Sequence, residues 1–235
     1  TASNNTAVGY QAGYTNTTGT LTGVGNFALR SNTTGNYLTA VGANALQNNT
    51  TANSNSAFGL QALYLNTTGA NNTAVGDRSL TSNTTGANNS ALGFYALKAN
   101  TTASNNTAVG YHSSRDNTTG STNASFGVNS LRNNTTGSSN VAIGEAALLA
   151  NTSASNNTAI GQISLFDNTT GAQNTAVGAN SADEVTTGSD NTSLGFRSLA
   201  STTTGASNVA IGSDALRTNT TASNNTAVGF QSLVS

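Results

Sequence analysis

The stretch NTAVGDRSLTSNTTGAN, residues 72–88, contains the unit from which the whole chain is built. Variants of this unit follow one another along all 235 residues, and the glycine of each TAVG-like segment marks the same place in every variant. Successive repeat glycines are 17 residues apart, except for the first pair, which are 16 apart. A fixed period of this length is typical of repeat architectures, in which each unit packs only against its neighbours. The repeat glycines are Gly9, Gly25, Gly42, Gly59, Gly76, Gly93, Gly110, Gly127, Gly144, Gly161, Gly178, Gly195, Gly212 and Gly229.

Several positions of the repeat each hold one kind of side chain. The residue before the repeat glycine is always large and apolar, and we call this position the valine column. The residue two before it is always Ala, Ser or Gly and forms the alanine column. Three residues after the glycine stands Ala or Ser, and four after it stands the leucine column, which is Leu in eleven of fourteen repeats. Thr follows eight residues after the glycine in all thirteen complete repeats.

These columns predict an all-β chain. Gly, Asn and Thr are poor helix formers, and the apolar residues lack the 3.6-residue spacing of a helix. In a strand, neighbouring side chains point to opposite faces, so a TAVG strand separates large from small residues. We expect a second short strand at the Ala/Ser-Leu pair, with NTTG and the residues before it as turns. The prediction is a parallel β-solenoid, or β-roll, of about fourteen 17-residue coils, forming a single repeat domain over residues 1–235.

The large columns are predicted to fill the interior of each coil, while the small columns are predicted to face another chain. No charged residue occurs in the alanine column or in the Ala/Ser column. Such a face indicates close approach of a second backbone, and hence a homotrimer. The predicted core ladder consists of Val8, Val41, Val75, Val109, Ile143, Ile160, Val177, Ile211, Leu46, Leu80, Leu131, Leu165 and Leu216.

The composition argues against several classes of function. Charged residues make up 6% of the chain and the formal net charge is −1, so no nucleic-acid partner is expected. No apolar run approaches the roughly 18 residues of a transmembrane helix, so no membrane insertion is expected within this segment. The acidic residues are scattered, with only Asp183 and Glu184 adjacent, and the one histidine is His112. We therefore predict no catalytic residues, no metal site and no cofactor, and a protein that is not an enzyme. Since the sequence starts and stops in mid-repeat, we expect a fragment of a longer repetitive chain.

One asparagine column carries Asn-x-Ser/Thr sequons, which leaves two readings open. In the first, the asparagines are turn residues whose amides stack along the axis. In the second, the column provides attachment sites for glycans, on Asn or on a neighbouring Thr. We call this position, seven residues after the repeat glycine, the turn asparagine column. The candidate glycan sites are Asn16, Asn32, Asn49, Asn66, Asn83, Asn100, Asn117, Asn134, Asn151, Asn168 and Asn219.

The segment SNVAIG, at residues 139–144 and 207–212, together with the NTAVG segments, resembles the repeats of trimeric autotransporter adhesin heads. The wider pattern also resembles repeat shafts of phage tail-fibre-like proteins. The resemblance covers the whole chain and implies a left-handed parallel β-roll with three chains wound about one axis. The adhesin-head repeat is shorter than the present unit, because NTTG lengthens the turn.

The function predicted from these features is a structural shaft or head of an extracellular fibre, adhesin-like or tail-fibre-like, on a cell surface or virion. Its partners would be further copies of itself, as a homotrimer or filament, and covalent glycans. One alternative is an ice-binding surface built on the invariant threonine column. Another is a carbohydrate-binding surface built on aromatic residues just after the repeat glycine, namely Tyr10, Phe94, Tyr95, Tyr111, Phe196 and Phe230.

Overall fold

The computed structural model describes residues 4–234, and within that range the chain is all-β without a helix. The chain forms a parallel β-solenoid that divides into two compact units, residues 1–119 and 120–235. The strands of the first unit are β1 Thr6–Val8, β2 Leu21–Val24, β3 Leu38–Val41, β4 Ser56–Phe58, β5 Thr73–Val75, β6 Ser90–Leu92 and β7 Thr107–Val109. Those of the second are β8 Ala124–Phe126, β9 Val141–Ile143, β10 Thr158–Ile160, β11 Thr175–Val177, β12 Thr192–Leu194, β13 Val209–Ile211 and β14 Thr226–Val228.

Equivalent residues of successive repeats lie beside each other in the sheet of each unit. Between β10 and β11, Ala159 pairs with Ala176 and Ile160 pairs with Val177. Every pairing described within a unit joins residues 17 apart, except that between β1 and β2, where they are 16 apart. One repeat therefore makes one coil, and each column becomes a ladder along its unit.

The predicted second strand is wrong, because the residues after the repeat glycine form turns instead. Asn44 and Leu46 have φ values of 59° and 50°, and the equivalent residues of the other coils share this left-handed conformation. The turn still bonds to its neighbours, since Leu46 N–H donates to the carbonyl of Ala62 over 3.0 Å. A left-handed conformation costs a non-glycine residue about 1–2 kcal/mol. Complete burial of the leucine offsets that cost, being worth about 1.5–3 kcal/mol.

The valine half of the predicted core ladder is also wrong. The alanine column points into the coil, and the alternation of a strand therefore directs the valine column outward. Val8, Val41, Ile143, Ile160 and Ile211 are 36–58% exposed. The remaining predicted members of this column, Val75, Val109 and Val177, are half-buried.

The leucine column does lie inside the coils. Leu46, Leu80, Leu131 and Leu165 are 0% exposed, and Leu216 is 4% exposed. With the alanine column they form the apolar part of the interior.

The small side chains face the opposite wall of their own coil rather than a second chain. Gly23 stands in the alanine column, and a Cβ built there would lie 3.9 Å from the Cβ of Ala28, which belongs to the Ala/Ser column. The small side chains therefore allow two walls of the same coil to approach closely, rather than two different chains. Because these side chains are buried inside the coil, the small columns do not support a trimer.

The repeat glycine is required by its backbone. Gly42 has a φ of 137°, in the region that side chains rarely adopt, and a Cβ there would lie 2.4 Å from the carbonyl oxygen of Gly59 in the next coil. Conformation and space therefore both exclude any other residue at this corner.

Candidate functional surfaces

The turn asparagine column forms a buried ladder of amides. Asn83 Nδ2 donates to Asn66 Oδ1 of the preceding coil over 2.8 Å and to the Gly86 carbonyl over 2.9 Å. Asn83 Oδ1 accepts in turn from Asn100 Nδ2 at 2.8 Å. Each amide thus closes its own turn and also joins its coil to the neighbouring coils.

This column does not provide glycan attachment sites. Attachment requires an accessible amide nitrogen, whereas the amide nitrogens of all eleven candidates donate hydrogen bonds within the coil stack. Nine of them are completely buried, and Asn16 and Asn219, in the first and last coils, are half-buried. The bonded candidates are Asn16, Asn32, Asn49, Asn66, Asn83, Asn100, Asn117, Asn134, Asn151, Asn168 and Asn219.

A second buried asparagine ladder stands four residues before the repeat glycine and was not predicted as interior. Asn72 Nδ2 donates to the Gly86 carbonyl over 2.8 Å, and Asn72 Oδ1 accepts from the backbone N–H of Asn89 at 2.9 Å. The second and third coils carry Leu21 and Leu38 at this position, and both are buried. This exchange of Asn for Leu was the available sequence signal, because leucine is favoured in the core.

The turn asparagine ladder contains one defect. Val185 and Thr202 replace asparagine in two successive coils, and Val185 is completely buried. Because a valine side chain cannot donate, Asn168 Oδ1 is buried without a hydrogen-bond partner. The defect shows what the ladder loses when one amide is removed.

The invariant threonine column, eight residues after the repeat glycine, has its hydroxyls engaged in stacking. We call these residues the first threonines, since a second hydroxyl residue follows each of them. Thr50 Oγ1 donates to the Thr67 carbonyl over 3.2 Å, and Thr67 Oγ1 donates to the Thr84 carbonyl over 3.1 Å. These hydroxyls therefore bond to the protein's own backbone, and nothing in their geometry favours their use as an ice-binding array.

The outward side of the strands forms an uncharged surface that contains an apolar column. We define the outer strand face as the valine column together with the residues three before each repeat glycine. These latter residues are Thr or Ser, with Ala124, Val141 and Val209 as exceptions, and they are exposed or half-buried. Eleven of the fourteen valine-column side chains are at least 36% exposed, and the face contains no charged residue.

The charged side chains lie elsewhere on the coil. Apart from Asp190, every one stands one to six residues after a repeat glycine. Arg115 and Asp116 form an ion pair at 2.5 Å, which raises the pKa of the guanidinium. Burial raises the pKa of Asp183 above its ordinary value, and the nearby carboxylate of Glu184 acts in the same direction. Among residues 4–234 no three His, Asp or Glu side chains converge as metal ligands.

Some of the predicted aromatic residues meet in one cluster on the first unit. Phe94 lies 4.0 Å from Tyr95 and 5.5 Å from Tyr111 between ring centroids, with interplanar angles of 27° and 8°. His112 joins the cluster 3.8 Å from Tyr111. The Lys98 ammonium lies 4.4 Å from the centroid of the Tyr95 ring. Phe94 and Tyr111 keep exposed ring surface, so the cluster offers an aromatic platform beside cations.

The other predicted aromatic residues lie apart from this platform. Tyr10 meets Phe27 edge to face at 5.3 Å, and Phe196 lies beneath the Arg197 guanidinium at 5.6 Å. Phe230 is 72% exposed in the last coil.

Comparison with known proteins gives no family for the chain. No protein-family model matches it, and neither a curated protein nor a solved structure shows significant similarity to it. The described part of the chain contains no helix with the length and apolarity needed to cross a membrane.

Proposed function

We propose that this chain is a structural, non-catalytic segment of an extracellular fibre, in which copies associate side by side through their outer strand faces. The observation that carries the proposal is the exposed valine column. At roughly 60 Å² a residue, the seven side chains of one unit expose on the order of 400 Å² of apolar surface. A patch of this size matches the largest patch on a typical monomer, which often has a function.

The outer strand face favours a second copy of the same chain as its occupant. Its side chains repeat at the coil spacing of about 4.8 Å, and a parallel copy repeats at the same spacing, so every coil meets an equivalent coil. The face carries no charge that would select a charged partner. Including the threonines that flank the valine column, the surface of one unit approaches the roughly 800 Å² per partner of a standard interface.

A homotrimer or a side-by-side filament would bring the outer strand faces of neighbouring copies into contact. The ladders of hydrogen bonds along each unit would resist tension. The engaged asparagine and threonine side chains support a role in mechanical strength, because each coil is bonded to the next by side chains as well as backbone. An exposed cell-surface or virion location is part of the same proposal.

The test uses the purified chain at micromolar concentration, with light scattering coupled to size-exclusion chromatography. We expect an oligomer, and we expect Ile143→Lys with Ile160→Lys to dissociate it, because the lysines place charge on the outer strand face. Gln162→Lys is the matched control, since Gln162 is exposed one residue after the repeat glycine and outside that face. A monomeric wild type, or equal dissociation by the control, would refute the proposal.

A second candidate function is carbohydrate binding by the aromatic platform. It is favoured by the nearly parallel, exposed rings of Phe94 and Tyr111 and by Lys98, whose ammonium forms no ion pair within the described residues. The flat faces of sugar rings stack on such platforms, and a cation beside them favours acidic sugars. Calorimetry with uronic-acid oligosaccharides should show binding that Tyr111→Ala abolishes and Phe196→Ala leaves unchanged. Absence of binding by the wild type would reject this candidate.

A further inference from the structure

A second column of hydroxyl residues directly follows the first threonines and differs from them in its surroundings. We call these residues the second threonines; they stand nine residues after the repeat glycine. Every member is exposed, and every member is Thr except for one Ser. The column consists of Thr18, Thr34, Thr51, Thr68, Thr85, Thr102, Thr119, Thr136, Ser153, Thr170, Thr187, Thr204 and Thr221.

Folding uses the hydroxyl of the first threonine but not that of the second. Thr67 Oγ1 donates to the Thr84 carbonyl over 3.1 Å, and the same bond recurs along both units at 2.8–3.3 Å. Within residues 4–234, no second-threonine hydroxyl forms a hydrogen bond with the protein. The backbone of Thr68 is held by its N–H, which donates to the Thr84 carbonyl over 3.2 Å.

The chain nevertheless keeps a hydroxyl at this position in all thirteen coils. Ser153 changes the shape of the side chain but retains the oxygen, and no Val, Asn or Lys occurs in the column. On the outer strand face, by contrast, threonine is exchanged for Val141 and Val209, which preserve shape without the hydroxyl. The residue two positions after the second threonine varies among Thr, Asn, Ala and Ser, so the repeats have diverged nearby. The retained feature is the hydroxyl itself.

The surroundings leave the second threonine open to an enzyme. The residue after it is Gly or Ala in every coil and is buried in nearly all of them, so no side chain stands over the hydroxyl from that side. The residue before it is tied to the next coil by its own hydroxyl. The corner is a rigid row of accessible oxygens at a spacing of about 4.8 Å.

We propose that the second threonines are sites of O-linked glycosylation, with a nucleotide-activated sugar as donor. The threonine oxygen attacks the anomeric carbon of the sugar and forms a glycosidic bond. The bond from that carbon to the nucleoside diphosphate breaks, and the hydroxyl proton passes to a base of the transferase. The close spacing suits single sugars or alternate occupancy better than branched glycans. Of the two positions that the sequence left open for glycans, the turn asparagine and a neighbouring threonine, this proposal selects the threonine.

The test is fragmentation mass spectrometry, by electron transfer, of the chain isolated from the organism that makes it. The N-T-T segment contains its own controls, because the asparagine and the first threonine are sequence neighbours of the proposed site. We expect sugar masses on second threonines of both units and none on the other two columns. A bare chain, or sugar on asparagines or first threonines, would overturn the proposal.

A pair of variants expressed in the same organism separates modification from structure. Thr68→Ala should remove the sugar mass from that coil and leave the unfolding midpoint of the deglycosylated chain unchanged. Thr67→Ala should lower that midpoint, because a bond between coils is lost, and leave the sugar on Thr68. The reverse pattern would contradict the assignment. Neither result depends on whether the chain forms fibres.

Discussion

The variant Asn83→Val tests the turn asparagine ladder at a place where it is intact. Asn83 makes three hydrogen bonds, two as donor to Asn66 and Gly86 and one as acceptor from Asn100, all at 2.8–2.9 Å. Valine is close to asparagine in size and already stands in this column at Val185. The substitution therefore removes polar contacts while leaving the packing nearly unchanged.

The decrease in the free energy of unfolding caused by Asn83→Val follows from the individual hydrogen bonds that are lost. Three hydrogen bonds contribute about 1 kcal/mol each, and the stranded Asn66 oxygen adds about 1–3 kcal/mol of desolvation. The Gly86 carbonyl still accepts from Asn72, and Asn100 still donates to Ala103, so only one group is orphaned. Burial of the valine returns about 1–2 kcal/mol. We expect a net destabilisation of about 2–5 kcal/mol.

Guanidinium unfolding followed by far-ultraviolet circular dichroism measures this change, with the slope of the transition as a check on cooperativity. The matched control is Asn26→Val, because Asn26 is exposed one residue after its repeat glycine, where Val128 occurs in another coil. We expect the control to change stability by less than about 0.5 kcal/mol. Equal stability of Asn83→Val and the wild type would refute the claim that the hydrogen bonds of the turn asparagine column stabilise the fold.

Four further variants probe the backbone and the charges. Gly178→Ala should destabilise strongly in thermal unfolding, because its Cβ would lie 2.5 Å from the Gly195 carbonyl oxygen, whereas Gly23→Ala meets only ordinary contacts and should be neutral or stabilising. Ile163→Asn should stabilise by about 1 kcal/mol in denaturant titration, since a β-branched residue is strained at a φ of 58°. Because burial raises the pKa of Asp183 above its ordinary value of 3.8, the folded state retains the proton longer than the unfolded state. The unfolding midpoint of the wild type should therefore fall as pH rises just above 3.8, and Asp183→Asn should lack that fall. A stable Gly178→Ala, a destabilised Ile163→Asn or an unchanged pH dependence in Asp183→Asn would each contradict the prediction made for that variant.

The period and the strand could be predicted from the sequence, but the direction of the side chains could not. Alternation alone states that Ala159 and Ile160 face opposite ways and not which of them faces inward. The usual preference for large apolar residues inside gave the wrong answer, because the interior is narrow and already holds a leucine and two asparagines. The left-handed conformation of Leu46 was equally hidden, since tertiary burial overrides the local preference against it.

The functional reading of the turn asparagines failed for a related reason. A sequon records only residue identity, whereas attachment depends on exposure, and Asn83 is completely buried. The pair Asn72 and Asn83 shows that this solenoid uses amides as core residues, which composition-based reasoning assigns to the surface.

The most direct test of the central claim, that one 17-residue repeat makes one coil stacked in register on the next, is a set of spin-label distances. The chain has no native cysteine, so labels can be placed on pairs of cysteines substituted for second threonines, whose hydroxyls the fold does not use. We predict about 14 Å between the positions of Thr34 and Thr85, which are three coils apart. We predict about 19 Å between the positions of Thr34 and Thr102, which are four coils apart, so one more repeat adds one coil spacing. Distances that do not increase by one coil spacing per repeat would contradict it.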